Sequence, residues 1–209
     1  FIIKNFNGKL PDTIPSIYSN DTNIKSINYV LGHTRYSTSG QKLIQTQSQP
    51  IKGKTTINNR EQEFILVHNG NISGRKSLKR LFNCTIDPED TKYTDSQILV
   101  EIINSMNKKC WKDILQELLS KIPGTYNLLI GIKNGVIIVR DRFGVRPLTI
   151  CKEKDSDTNY CILSETDQIQ KFNYEFIRDV RPGEVSLLTD KGITELKLDQ
   201  VKKLDKVPF

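Results

Sequence analysis

Two charged side chains in short polar stretches of the chain could recognise a small zwitterionic molecule. Arg35 lies in GHTRYSTSG at residues 32–40, and Asp95 lies in YTDSQ at residues 93–97. The guanidinium of Arg35 stays charged and can hold a carboxylate through two parallel hydrogen bonds. The carboxylate of Asp95, at the start of a predicted helix, either caps that helix or receives an ammonium group. An ordinary ion pair is the structural alternative for Arg35.

A third polar stretch, HNGN at residues 68–71, follows the apolar run FILV at 64–67, which predicts a buried strand. Its Asn69-Gly70 pair offers a side-chain amide beside a backbone N–H that a ligand can approach closely. An oxyanion hole requires such a pair of donors, whereas the ordinary alternative is an Asn-Gly turn that ends the strand. Together the three stretches describe a site for an amino acid whose side-chain carbonyl is attacked.

The elements that must position these stretches follow from the spacing of apolar residues. The pattern predicts a strand at 27–31, a polar loop at 39–54 and a first helix that Ser73 caps. Two more helices are predicted, from Thr94 to Met106 and from Trp111 to Ile122. The remaining strands are predicted at 126–133, 136–140, 148–151, 160–163, 176–180, 185–189 and 193–198. This order predicts an α+β fold of sheets covered by helices.

The composition is that of a globular protein with a mildly basic surface. The chain has 209 residues, a net charge of +7 and a sequence pI of about 9.2. Because the basic residues are scattered among acidic ones, we expect no nucleic-acid partner. No apolar stretch is long enough to span a membrane, so we expect a cytoplasmic protein without a membrane partner.

The cysteines and histidines lack the spacing of a metal site. There are two histidines, His33 and His68, and neither lies near a cysteine in sequence. The cysteines are Cys84, Cys110, Cys151 and Cys161. We therefore predict no metal site in this chain and expect Cys151 and Cys161, which alternate with apolar neighbours, to pack as small apolar side chains.

The ordered set of motifs resembles the class II glutamine amidotransferases. In chain order the motifs are GHTRYSTSG, Gln49-Pro50, HNGN, TDSQIL, PGTY, RDRFGVRPL at 140–148, SET at 164–166 and RPGE at 181–184. Each motif is weak alone, but the set spans nearly the whole chain. HNGN together with GVRPL makes the chain most similar to the glutaminase domain of the amidophosphoribosyltransferases, which act in purine biosynthesis.

The resemblance implies a fold, an activity and a role for each site residue. The family fold is the N-terminal-nucleophile hydrolase fold, four αββα layers with two sheets between helical layers. The ligand is L-glutamine, whose α-carboxylate Arg35 would hold and whose α-ammonium Asp95 would hold, with Thr38 lining the pocket. Asn69 and Gly70 would form the oxyanion hole for the side-chain amide. The resemblance also places RDRFGVRPL in a structured loop near the site.

The family's nucleophile is the thiol of a cysteine at the mature N-terminus, whose own amine serves as the base. Here residue 1 is Phe1, and none of the four cysteines has a free amine. The expectation is that residues 1–209 are a glutaminase domain lacking its first strand and helix, and lacking the phosphoribosyltransferase domain. Such a chain alone should be inactive. The alternatives are a domain that lost its nucleophile and binds glutamine or a partner, and another class II amidotransferase.

Further expectations concern the parent enzyme, a glycosyltransferase that gives the ammonia to phosphoribosyl pyrophosphate. The resemblance implies Mg²⁺ with that substrate, an iron–sulfur cluster in some relatives and a homo-oligomer. It implies no cofactor in this chain.

Overall fold

A computed structural model describes residues 28–34, 48–87, 89–167 and 169–199. Its strands are β1 (Ile51–Ile57), β2 (Arg60–Ile72), β3 (Asn107–Lys108), β4 (Gly124–Ile132), β5 (Gly135–Arg140), β6 (Thr149–Glu153), β7 (Tyr160–Leu163), β8 (Tyr174–Asp179), β9 (Val185–Thr189) and β10 (Gly192–Glu195). Its helices are α1 (Arg75–Leu81), α2 (Asp95–Asn104), α3 (Trp111–Lys121) and a short 3-10 helix at Ile169–Phe172.

The strands form two sheets. The larger sheet has the order β10-β9-β5-β4-β2-β1-β3, and all its neighbours are antiparallel except β1 and β3. The smaller sheet has the order β7-β6-β8 and is antiparallel. The predicted hairpins β4–β5 and β9–β10 are confirmed, because each pairs in the register that a short turn imposes.

Alternating side chains on β5 show how the layers stack. Ile137 and Val139 are buried against the three helices, whereas Ile138 points the other way. Ile138 packs with Leu148 and Ile150 in a second core that lies between the two sheets. The described residues therefore form a helical layer, the large sheet and the small sheet, as the predicted αββα order requires. The 3-10 helix at Ile169–Phe172 lies beside β8 of the small sheet.

The predicted helices are confirmed, with one correction at a helix start. α2 begins where predicted, and its cap is Thr94 rather than Asp95: Thr94 Oγ1 accepts from the Gln97 N–H at 3.3 Å, and its own N–H donates to Gln97 Oε1 at 2.8 Å. The prediction that Ser73 caps α1 is wrong. The cap is Gly74, whose φ of +63° lies in the left-handed region, while the Ser73 N–H donates to the Pro123 carbonyl at 2.9 Å.

Three strand predictions are corrected. Residues 28–31, predicted as a strand, are irregular. Residues 51–54, predicted as loop, begin β1, which the turn Asn58-Asn59 joins to β2; both residues have positive φ. Most importantly, the apolar strand predicted at 64–67 does not end at HNGN. β2 runs from Arg60 to Ile72 and pairs with β4 over the polar residues as well.

No helix in the described ranges is both long enough and apolar enough to cross a membrane.

Candidate functional site

The last part of β2 has a strand neighbour on one side only. Pairing with β1 ends at Leu66, opposite Ile51, whereas pairing with β4 continues to Ile72, opposite Gly124. Residues 67–72 therefore present an edge with which no strand of the described chain pairs. We call this segment the open edge of β2.

Side chains take the place of a strand at two points of the open edge. The His68 N–H donates to Gln49 Oε1 at 2.5 Å, and Gln49 Nε2 donates to the His68 carbonyl at 3.0 Å. Four residues further along β2, the Ile72 N–H donates to Asp95 Oδ2 at 2.8 Å. Since N–H groups alternate in direction along a strand, the Gly70 N–H lies on this same edge, between the two occupied positions. No side chain of the described chain accepts a hydrogen bond from it.

Gly70 is the residue that lets β2 and β4 approach here. Its φ is +154°, and a Cβ at this position would lie 2.2 Å from the Thr125 carbonyl oxygen and 2.6 Å from Tyr126 Cα. Any other residue would push the strands apart. The alternative of an ordinary Asn-Gly turn is therefore wrong, because Asn69 and Gly70 lie inside a strand, opposite Asn127 and Tyr126.

Asn69 points to the opposite face from His68, since neighbours in a strand alternate, and so faces the small sheet. Its partner across the ladder is Asn127 of β4, which is buried. Asn127 Nδ2 donates to the Pro147 carbonyl at 2.7 Å, but Asn127 Oδ1 is buried and finds no hydrogen-bond partner within the described ranges. The two amide side chains therefore lie on the paired strands β2 and β4, and Asn127 links β4 to the RDRFGVRPL loop.

His68 points toward the helices and is almost completely buried. Its Nδ1 lies 3.1 Å from Ser96 Oγ, and its Nε2 is buried without a hydrogen-bond partner in the part of the chain that the structure describes. Burial lowers the pKa of His68 to about 4, and the nearby charge of Asp95 opposes this only in part. His68 is therefore a neutral imidazole at neutral pH.

Asp95 is held by groups from two other elements. Besides the Ile72 N–H on Oδ2, its Oδ1 accepts from Arg75 Nε at 3.1 Å and from Arg75 Nη2. Arg75 Nη1 donates to the Tyr93 carbonyl at 3.2 Å. Because Thr94 caps α2, the carboxylate of Asp95 is not needed to cap the helix. It lies beside the open edge with an Arg75 guanidinium against it.

A second polar cluster lies where RDRFGVRPL leaves β5, and we call Arg140, Asp141 and Glu184 the β5 corner. Arg140 donates through Nε, Nη1 and Nη2 to the carbonyls of Arg146, Val180 and Gly144. Both carboxylate oxygens of Asp141 accept backbone N–H groups, including that of Tyr126 at 3.0 Å. This loop is structured, as the resemblance implies.

Glu184 completes the β5 corner as a buried, fully bonded carboxylate. It accepts from both terminal nitrogens of Arg178 at 2.8 Å, from the Arg181 N–H at 3.0 Å and from Ser186 Oγ at 2.7 Å. Burial would raise the pKa of Glu184, but these hydrogen bonds outweigh it and hold the pKa at about 2. The carboxylate stays charged at neutral pH and joins β8 to β9.

The structure brings three of the five predicted site residues to one place: Asn69, Gly70 and Asp95 converge on the open edge. Arg35 and Thr38 lie outside the described residues. Neither Arg75 nor Asn127 was predicted. The position of Arg75 at the start of a helix was the sequence feature that could have indicated it. Asn127 can be identified only from its pairing with Asn69 in the β2–β4 ladder. The roles of all five predicted residues stay predictions.

None of the four cysteines is close in sequence or register to the open edge. Burial raises the pKa of Cys84 to about 11 and also raises the pKa of Cys151 and Cys161, so these thiols are protonated at neutral pH. Within the described ranges, no group of three or more His, Cys, Asp or Glu side chains could hold a metal ion. The expectations of Mg²⁺ and an iron–sulfur cluster in the parent enzyme stay predictions.

Comparison with known proteins places this geometry in a family. A family model described as "Glutamine amidotransferase domain" matches residues 33–171. The chain is 30% identical over 189 residues to the amidophosphoribosyltransferase of Methanocaldococcus jannaschii, covering 89% of this chain and 38% of the relative. It is 31% identical over 170 residues to that of Synechocystis, covering 80% and 33%.

Solved structures agree in fold. The glutamine phosphoribosylpyrophosphate (PRPP) amidotransferase from B. subtilis, complexed with ADP and GMP, matches with a TM-score of 0.61 at 27% identity, over 79% of this chain and 34% of that one. A structure described as the allosteric regulatory enzyme of purine biosynthesis matches with a TM-score of 0.63 at 27% identity, over the same shares. The predicted N-terminal-nucleophile hydrolase fold is thereby confirmed. The chain spans about a third of the length of these relatives. With its family model, its motifs and its fold in agreement, this chain belongs to the glutamine amidotransferase family.

Proposed function

We propose that this chain binds L-glutamine at the open edge of β2 and supports the hydrolysis of its side-chain amide. The amide oxygen lies at the Gly70 N–H and the Asn69 side chain, and the α-ammonium lies at Asp95. Arg35 receives the α-carboxylate and Thr38 lines the pocket. During the reaction these donors stabilise the oxyanion that develops as the amide carbon is attacked.

The observation that carries this proposal is the spacing along the open edge. The Gly70 N–H and the Ile72 N–H, which binds Asp95, are two residues apart on one edge. That separation is about 6.8 Å along an antiparallel strand. In an extended glutamine, the distance from the amide oxygen to the ammonium nitrogen, plus one hydrogen bond from that nitrogen to Asp95, is a similar length. An oxyanion donor and an ammonium acceptor at this spacing match both ends of one glutamine.

The chemistry in the parent protein follows the family resemblance. The thiol of an N-terminal cysteine would attack the amide carbon, ammonia would leave, and water would release glutamate from the thioester. The ammonia would pass to phosphoribosyl pyrophosphate in a second domain, because the named relatives are amidophosphoribosyltransferases. A cytoplasmic homo-oligomer that uses Mg²⁺ with that substrate belongs to the same proposal.

Two ligands test the site directly. One is L-glutamine, and the other is its analogue without the α-amino group. We expect the full 209-residue chain to bind L-glutamine with a measurable rise in melting temperature. We expect Asp95→Asn to weaken glutamine binding by about tenfold or more, because a charge-assisted hydrogen bond to the ammonium is lost. The analogue should bind both proteins equally.

Glu89→Gln is the matched control, since Glu89 is an exposed acid shortly before the same helix and the substitution also removes one negative charge. It should leave both titrations unchanged. An equal loss of affinity for glutamine and for the analogue in Asp95→Asn would contradict the assignment of Asp95. Absence of glutamine binding by every variant would contradict the proposed function as a whole.

A further inference from the structure

Arg75 puts a fixed positive charge where the proposed function needs an empty carboxylate. Its guanidinium donates twice to Asp95 Oδ1, through Nε at 3.1 Å and through Nη2, and once to the Tyr93 carbonyl at 3.2 Å. The Arg75 side chain is 30% exposed and that of Asp95 19%, so the contact is largely shielded from water. Shielding makes an ion pair stronger than it would be at the surface.

The contact leaves Asp95 partly available. A carboxylate has about four lone-pair sites, of which Oδ1 here uses two and Oδ2 uses one, for the Ile72 N–H. An incoming ammonium can therefore reach Oδ2, but it meets a carboxylate whose charge the guanidinium already neutralises. It also approaches a second positive charge, which repels it.

The fold does not depend on this pair for the elements that it joins. Thr94 and Gln97 form the capping box of α2 without Asp95. α1 is anchored by the fully buried Leu78, and the Ser73 N–H before it is bonded to the Pro123 carbonyl. These anchors hold both helices without Arg75. Because its guanidinium bonds to Asp95, the carboxylate assigned to the ligand, Arg75 can affect ligand binding.

We propose that Arg75 is an internal competitor of the substrate's α-ammonium group and sets the affinity of the site for L-amino acids. The inference rests on the proposed function, since it takes Asp95 as the ammonium acceptor. Arg75 occupies Asp95 in the empty protein, and an L-amino acid must displace it or share the carboxylate with it. A ligand without an ammonium group does not compete with Arg75.

The test compares two substitutions in α1. Arg75→Met removes the charge and keeps the apolar stem, whereas Lys79→Met removes one charge from an exposed lysine that pairs with Asp87 instead. Isothermal titration of the full chain with L-glutamine should give an affinity about tenfold higher for Arg75→Met than for wild type, because one competing ion pair is gone. Lys79→Met should stay within twofold of wild type by the same measurement.

The analogue without the α-amino group separates competition from a general change of the pocket. Arg75→Met should leave its affinity unchanged. Arg75→Lys keeps a positive charge and should remain close to wild type for both ligands. Arg75→Gln, which can still donate to the Tyr93 carbonyl, serves as the second uncharged variant should Arg75→Met fold poorly.

Two results would overturn the inference in distinguishable ways. If Asp95→Asn weakens glutamine binding but Arg75→Met and Arg75→Gln bind glutamine no more tightly than wild type, Arg75 positions Asp95 and the proposed function survives. If no variant binds glutamine, both the inference and the proposed function fail.

Discussion

The open edge of β2 and the β5 corner are both built from buried polar groups, yet they differ in how these groups are bonded. In the β5 corner, Asp141 and Glu184 accept hydrogen bonds on both oxygens, and Arg140 donates from all three nitrogens. On β2 beside the open edge, His68 Nε2 is buried without a hydrogen-bond partner among the described residues, and so is Asn127 Oδ1 on the paired strand β4. The hydrogen bonding of buried polar groups is therefore complete in the β5 corner and incomplete around the open edge.

The difference separates polar groups that stabilise the fold from polar groups that await a ligand. A buried polar atom without a hydrogen bond costs about 1–3 kcal/mol, so folded proteins keep few of them. Of the four such atoms in the described residues, those of His68 and Asn127 lie on β2 and on the paired strand β4; the other two, Trp111 Nε1 and Gln116 Oε1, lie on α3. Substitutions should therefore cost stability in the β5 corner, and affinity at the open edge.

The largest effect is expected for Asp141→Ala in the β5 corner. The substitution leaves the N–H groups of Tyr126, which is buried, and of Phe143 without their acceptor, whereas the Gly144 N–H keeps the Asp141 carbonyl at 3.3 Å. We expect the free energy of unfolding to fall by about 4 kcal/mol, measured by urea denaturation. Asp157→Ala, which removes an exposed acid paired with Lys152, is the control and should change it by less than about 0.5 kcal/mol. A small loss for Asp141→Ala would remove the distinction between the two regions.

The sequence indicates the helices and the later hairpins because their signals are local. The capping box of Thr94 and the apolar spacing of α3 need no distant partner. β1 was missed because IKGKTTI is poor in apolar residues and contains Gly53. That glycine is required, since a Cβ there would lie 2.3 Å from the Phe64 ring. The pair Asn58-Asn59 was the available sign of a hairpin turn.

The extent of β2 could not be read from apolar residues. HNGN is polar, but it stays in the sheet because β4 lies alongside and only glycine fits at residue 70. For the site, residue type was enough to select Asn69, Gly70 and Asp95. The place of Asn127 depends on strand register, which the sequence of one chain does not specify.

A middle-sized effect is expected from His68, the buried imidazole beside the open edge. Its pKa is about 4 in the folded chain and near 6.5 when unfolded, because burial disfavours its charged form; Asp95 opposes this, whereas His33 and Arg146 add to it. Between these values the unfolded state binds a proton that the folded state does not. Stability should therefore fall by about 3 kcal/mol as the pH drops from about 6.5 to 4, with no further loss from this group below that.

The measurement is urea denaturation at several pH values for wild type and for His68→Gln. The difference between the two curves isolates His68 from carboxylates that titrate in the same range. As the pH falls toward 4, we expect the free energy of unfolding to fall more for the wild type than for His68→Gln. Parallel curves would mean that His68 is not held neutral by burial.

The smallest effect on stability, and the sharpest contrast with Asp141, is expected for Asn69→Ala. Asn69 is only half-buried, and its side chain makes no hydrogen bond within the described chain, so its removal leaves no new group unsatisfied. The free energy of unfolding should change by less than about 0.5 kcal/mol. The glutamine-dependent rise in melting temperature should nevertheless be reduced, because a donor to the amide oxygen is lost. A large loss of stability in Asn69→Ala with unchanged glutamine binding would make the open edge another structural cluster like the β5 corner, with the ligand bound elsewhere.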